Sequence, residues 1–183
     1  MANGPTHAAF LRAVNLGTTR KAPSEKLKEI FEGLGFDHVA IFRTSGNVVF
    51  AAGGGSDAKL RSRIEKGLDQ GLGFDVPAFV RSARELKAIA KHAPFPAKAV
   101  SASKGKLQVA LLEKAPSVAA KKKAMALGSD DDRLSLKGTE LYWLPSGGTQ
   151  RSQLDMKAID GALGLHTLRT QGTIARLHEK FFA

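Results

Sequence analysis

The most constraining stretch is a polar corner set between two β-rich apolar runs. Val39-Ala40-Ile41-Phe42 leads into Arg43-Thr44-Ser45-Gly46-Asn47, and Val48-Val49-Phe50 leads out. Ser45, Gly46 and Asn47 tolerate positive φ, as a tight hairpin requires. Two strands joined at this corner are therefore expected over about 38–52. An earlier apolar strand over 8–16 runs into a second polar corner, Asn15-Leu16-Gly17-Thr18-Thr19-Arg20-Lys21.

The elements around the hairpin follow from periodicity. Leu27, Ile30, Phe31 and Leu34 recur at helical spacing after Pro23, which suits a first turn, and Gly35 ends that helix. Ser56 is a natural N-cap for a second helix carrying Leu60, Ile64 and Leu68, and Gly71-Leu72-Gly73 closes it. Residues 75–81 form a fourth strand. The order β-α-β-β-α-β is the ferredoxin-like arrangement, in which strands one and three are antiparallel neighbours at the sheet centre. That topology brings the two polar corners together.

The second half repeats the order. Ser82-Ala83-Arg84-Glu85 has the form of a capping box and opens a helix that ends at Pro94 and Pro96. A linker runs to about 105, then a strand over 107–112 and a lysine-rich helix over 116–127. Asp130-Asp131-Asp132 is expected to be an exposed acidic turn. A hairpin follows over 133–144, then a glycine loop over 145–150. Ser152 is expected to cap the next helix, and Thr170 a last one with Ile174, Leu177 and Phe181 inward. The expected class is α+β, with two ferredoxin-like units: 1–81, and 82–183 with an extra helix at each end.

Composition narrows the chemistry. Apolar residues make up 43% of the 183, enough for a core, and there is no cysteine for disulfides or thiolate metal ligation. The first seven residues lack the apolar centre of a signal peptide, and no run is long enough to cross a membrane. These features point to the cytoplasm. The net charge is +11. Residues 1–81 carry eleven basic and eight acidic groups (+3), and residues 82–183 carry seventeen and nine (+8). A basic chain attracts anions such as nucleic acid or phosphorylated small molecules.

Two constellations are candidate ligand sites. The first gathers Arg12, Asn15, Thr19, Arg20, Lys21, Ser45 and Asn47, where backbone donors and cations make an anion cradle. The same Asn and Ser residues are also those that turns use to satisfy their own backbone. The second is Gly148, Arg151, Ser152 and Arg169, a glycine loop before a helix. No phosphate-binding loop, dinucleotide fingerprint, metal-ligand cluster or nucleophile elbow occurs, and neither cofactor nor metal is expected. The five histidines are scattered and read as surface or helix-end residues. Trp143 reads as core.

Several motifs resemble one family. The run 9–17 (AFLRAVNLG) is similar to an opening strand F-L-R-G-I-N-V-G. Thr44-Ser45-Gly46-Asn47-Val48-Val49-Phe50 resembles Q-S-G-N-V-V-F. Phe74-Asp75-Val76-Pro77 with Val80-Arg81-Ser82, Pro94-Phe95-Pro96, and Arg151-Ser152-Gln153-Leu154 fit as well. The resemblance is to the bacterial domain of unknown function 1697, and it implies two ferredoxin-like units without implying an activity. Ala13 and Thr18 stand where that family has glycine, and Thr44 where it has glutamine. The segment 168–174 departs from the family's T-R-N-W-N-T-V pattern. Three functions are in contention: a binding module without chemistry for an anionic ligand, a nucleic-acid binder as the form of it that the charge favours, and a small hydrolase similar to acylphosphatases, with Arg20 holding phosphate and Asn47 orienting water.

Overall fold

A computed structural model describes residues 4–183. The first β-α-β-β-α-β series is β1 (His7–Leu11), α1 (Ser24–Gly33), β2 (Asp37–Ile41), β3 (Asn47–Ala51), α2 (Asp57–Leu72) and β4 (Ala78–Ser82). Two helices follow, α3 (Ala83–Lys91) and the short α4 (Ala97–Ala102). The second series is β5 (Gln108–Leu112), α5 (Val118–Met125), β6 (Asp132–Lys137), β7 (Glu140–Pro145), α6 (Met156–Leu163) and β8 (His166–Thr170), closed by α7 (Gln171–Phe182). The sheets have the orders β2-β3-β1-β4 and β6-β7-β5-β8, antiparallel throughout. The fold is α+β, with two ferredoxin-like sheets. By compactness the chain divides into Met1–Lys87 with Arg176–Ala183, and Ala88–Ala175.

In the first unit one sheet face packs on α1 and α2. Ala9, Leu11, Val48, Phe50, Ala78 and Val80 meet Leu27, Phe31, Leu60, Ile64 and Leu68. Phe50 is the hub, 5.5 Å from Phe31 and 4.6 Å from Phe36 by ring centroids. Full burial of such a side chain contributes about 1.5–3 kcal/mol. The helix ends match their chemistry. Ser56 accepts from the Lys59 N–H, and Gly73 closes α2 in the left-handed region at φ +77°. The Ser82/Glu85 capping box is formed: Glu85 Oε2 accepts from the Ser82 N–H at 2.8 Å.

The second unit uses the same register. In β1·β4, His7 faces Ser82 and Ala8 faces Arg81; in β5·β8, Gln108 faces Thr170 and Val109 faces Arg169. Arg81 and Arg169 thus occupy equivalent positions. Each donates to the carbonyl of the residue before it, at 2.8 Å. Each precedes a hydroxyl residue that starts a helix with its partner three residues on, Ser82 with Glu85 and Thr170 with Thr173. The two strand pairs thus match at Arg81/Arg169 and at Ser82/Thr170.

Four expectations are corrected. The first strand stops at Leu11 and does not reach residue 16, because Ala13 and Asn15 turn left-handed at φ +57° and +56°. Residues 94–105 are not a bare linker but contain α4. Ser152 does not cap α6, which starts at Met156 with Asp155 accepting from the Ala158 N–H. The triad 130–132 is not uniformly exposed, since Asp132 is buried.

Candidate functional site

The two polar corners of the first unit meet. The Leu11 N–H donates to the Gly46 carbonyl at 2.8 Å. The Asn15 side chain reaches across and donates from Nδ2 to the Thr44 carbonyl at 2.7 Å. The same amide folds its own loop, donating to the Ala22 carbonyl and accepting from the Ala22 N–H at 2.9 Å. The backbone is left-handed at Ala13, Asn15, Arg43, Gly17 and Gly46. Gly46 is required sterically: a Cβ there would lie 2.6 Å from Val14 Cγ2 and 3.0 Å from Leu11 Cβ. Non-glycine residues in this region carry strain of order 1–3 kcal/mol each, and such residues gather where surrounding structure over-determines them.

The expected site residues separate into two roles. Asn47 is fully buried. Its Nδ2 donates to the Phe42 carbonyl and to Ser45 Oγ, both at 2.9 Å, and its own carbonyl accepts from the Phe42 N–H at 2.8 Å. Arg20 donates from Nε to the Ala13 carbonyl at 2.9 Å and from its guanidinium to the Asp75 carbonyl. It also lies 4.7 Å over the Phe74 ring. Asn15, Arg20 and Asn47 therefore hold the corner in shape. Thr18, Thr19, Lys21 and Ser45 are exposed around it, and Arg12 is half-buried.

Sequence reasoning missed an aromatic and cationic group at the same end of the sheet. Phe42 meets Phe181 edge to face, with centroids 6.1 Å apart at 88°. The Arg43 guanidinium lies 5.4 Å from the Phe42 centroid. Lys180 Nζ lies 6.0 Å from Phe42 and 5.2 Å from Phe181. His178 and Phe182 stack at 6.0 Å on the same helix end. Phe181, expected inward as core, is half-buried. The available signals were Phe42-Arg43 ending a strand and Lys180-Phe181-Phe182 ending a helix, but their meeting is long-range.

In the second unit the loop before α6 serves a residue of the chain itself. The buried Asp132 carboxylate accepts from Trp143 Nε1 at 2.8 Å, Ser152 Oγ at 2.6 Å and the Gln153 N–H at 3.3 Å. Ser152 and the loop backbone at Gln153 thus donate to an internal carboxylate. Gly148 takes φ +89° and Arg151 is exposed. Arg169 stands on β8, separated from β7 by β5, and donates to Thr167 Oγ1 and the Leu168 carbonyl. Burial lowers its pKa to about 10, which leaves it charged at neutral pH. An open hollow of about 750 Å³ in this unit is lined by Phe95, Met125, Asp130 and Arg133 among others, and by none of the expected residues.

The histidines are not uniformly superficial. His166 is buried, with Nδ1 3.0 Å from an Asp160 carboxylate oxygen. His7 starts β1, at the end of the strand opposite the corner, with Nε2 3.8 Å from Asp57 Oδ1. Burial lowers the His7 pKa against the pull of Asp57 and Glu85, and raises that of Asp57. Among the described residues no three His, Cys, Asp or Glu side chains gather as a metal site. No helix among them is long and apolar enough to cross a membrane.

Comparison with known proteins agrees with this architecture. The fold is shared with the conserved bacterial protein SP0830 from Streptococcus pneumoniae, at a TM-score of 0.72 and 17% identity, covering 96% of this chain and 97% of that one. No curated protein matches the sequence. The profile of the family described as "Protein of unknown function (DUF1697)" matches residues 5–142, a span that includes both polar corners and runs through β5 and β6 into β7. The chain belongs to the DUF1697 family.

Proposed function

We propose that the protein is a non-catalytic binding module for an anionic ligand, taken up at the corner end of the first unit's sheet. One observation carries this reading. The Asn15 amide fastens loop 12–22 to the 43–46 corner and leaves Thr19, Lys21 and Arg43 exposed around one rigid turn pair, beside half-buried Arg12. A backbone already folded to carry cations and hydroxyls lowers the ordering cost of binding an anion. A net charge of +11 draws such ligands in. The absence of cysteine suits a basic protein of the bacterial cytoplasm.

The hydrolase alternative draws less support. An acylphosphatase-type reaction needs the arginine turned to the phosphate and the asparagine turned to water. Arg20 instead donates to the Ala13 and Asp75 carbonyls, and Asn47 to the Phe42 carbonyl and Ser45 Oγ.

The test is titration of the full chain with heparin and inorganic polyphosphate by calorimetry at several salt concentrations. Binding that weakens with salt, and that is lost in a Lys21→Glu, Arg43→Glu double variant of unchanged circular dichroism, is the expected result. Equal affinity in the double variant, or no heat with either polyanion at low salt, overturns the reading. Hydrolysis of acetyl phosphate that is lost in Arg20→Ala would restore the alternative.

A further inference from the structure

We infer that the anionic ligand is a single-stranded nucleic acid whose bases stack on Phe42 and Phe181. The inference rests on the proposed anion-binding function of the same end of the sheet and adds what kind of anion it takes.

The ring pair supplies what a phosphate alone does not need. Phe42 and Phe181 stand edge to face at 6.1 Å, both half-buried, so part of each ring remains accessible. Two exposed cations flank them: Arg43 lies 5.4 Å from the Phe42 centroid, and Lys180 5.2 Å from that of Phe181. Aromatic rings interleaved with mobile cations are the working parts of single-strand binding. Bases stack on the rings irrespective of sequence, and the cations follow the phosphates. A cation resting over a ring is held by about 0.5–1 kcal/mol at an exposed site, little enough to be given up to a phosphate.

The platform is held in place before any ligand arrives. Phe42 exchanges two hydrogen bonds with Asn47, its N–H donating to the Asn47 carbonyl and its carbonyl accepting from Asn47 Nδ2. Arg43 then leaves the strand at φ +62°. The bond from Asn15 to Thr44, two residues beyond Phe42, brings the loop that bears Lys21 to the same corner. Stacking platform and basic loop thus adjoin the same corner. The site lies at the end of the sheet. Its broad face, where related RNA-binding folds stack bases, is closed here, with Ala8, Phe10, Val49 and Phe79 all buried.

The deciding experiment is fluorescence anisotropy of the full chain with labelled fifteen-residue oligothymidylate and oligouridylate, against an abasic oligomer of equal charge and inorganic polyphosphate. Binding of the oligonucleotides that falls steeply with salt is expected. Phe42→Leu and Phe181→Leu, which keep apolar volume but remove the ring, should each weaken oligonucleotide binding about tenfold. They should leave the abasic oligomer and polyphosphate unaffected. Polyphosphate binding with no preference for bases, or oligonucleotide binding indifferent to both leucine variants, overturns this inference and leaves anion binding standing. Failure to bind any of the four ligands overturns both. Circular dichroism checks that the variants fold, and Phe181→Leu, near the end of the last helix, is the safer of the two.

Discussion

Asn15 Nδ2 donates to the Thr44 carbonyl 2.7 Å away, joining two corners that lie 29 residues apart in the chain. This bond ties the two turns to each other. Asn is suited to the position twice over: its φ of +56° is a conformation Asn tolerates, and its amide supplies a donor and an acceptor at once. Asn15→Ala should lower stability by about 1–2 kcal/mol, the net worth of a few partly solvated hydrogen bonds. Asn15→Asp keeps the acceptor for the Ala22 N–H but sets a carboxylate oxygen against the Thr44 and Ala22 carbonyls, so it should lose at least as much. Urea unfolding midpoints of the two variants would separate the contributions.

Gly46 is where the corners touch most closely. A methyl group there meets Val14 and Leu11 and also takes an unfavourable φ of +71°. Gly46→Ala should cost about 2–4 kcal/mol, from left-handed strain and overpacking together. Val14→Ala in the same chain should recover part of that, because Val14 Cγ2 is the nearest obstacle. At Ala13, φ +57° favours glycine, so Ala13→Gly should be neutral or stabilising by about 0.5 kcal/mol despite glycine's greater freedom when unfolded. Thermal melts of the three variants test the set, and a destabilised Ala13→Gly would contradict the steric account.

Much of the fold is legible because its signals are local. The stripe Leu27, Ile30, Phe31, Leu34 fits only a helix with one apolar face, and the Ser82/Glu85 box announces its helix within four residues. What escapes is long-range. Val14 and Leu16 extend the apolar alternation of β1, and nothing in the string says that Ala13 and Asn15 turn left-handed. Ser152 looks like a cap because its true partner, Asp132, lies 20 residues back. In the acidic triad no local property distinguishes Asp132 from its neighbours; burial beside Trp143 does. Topology brings Asn15 and Asn47 to one corner, but it does not reveal that their bonds turn inward to the backbone. Phe42 and Phe181, 139 positions apart, carry no local mark of their meeting.

Asp132 is the centre of the second unit's polar core. Its carboxylate takes one indole, one hydroxyl and one backbone donor, and replacing one oxygen by an amide nitrogen turns a donor against donors. Asp132→Asn should therefore cost about 2–4 kcal/mol, since a buried donor left without an acceptor keeps its full desolvation penalty. Trp143 is the only tryptophan and hydrogen-bonds this carboxylate, so it reports the change directly. Its emission should shift in the folded variant, alongside a lower unfolding midpoint. An unchanged midpoint would mean the network contributes nothing net.

The histidines set the response to acid. Burial holds the His7 pKa below its ordinary 6.5, with Asp57 and Glu85 opposing. His92 lies tilted against Tyr142, with ring centroids 4.7 Å apart, and has no hydrogen-bond partner at Nε2. Its pKa is likewise lowered by burial and by Lys137, against Glu140. Below pH 6.5 the unfolded chain takes up these protons before the folded one does. Stability is therefore fully present above 6.5 and is lost as the pH falls through the lowered folded values. Asp57 works the other way: its pKa is raised by burial and by Glu85, so near its ordinary 3.8 and just above, falling pH favours the folded chain. Unfolding midpoints measured from about pH 7.5 downward should decline first below 6.5. His7→Gln should make that decline shallower, and His7→Gln with His92→Gln should nearly flatten it until the carboxylates titrate. An unaltered slope in the double variant would overturn the assignment of the acid response to His7 and His92.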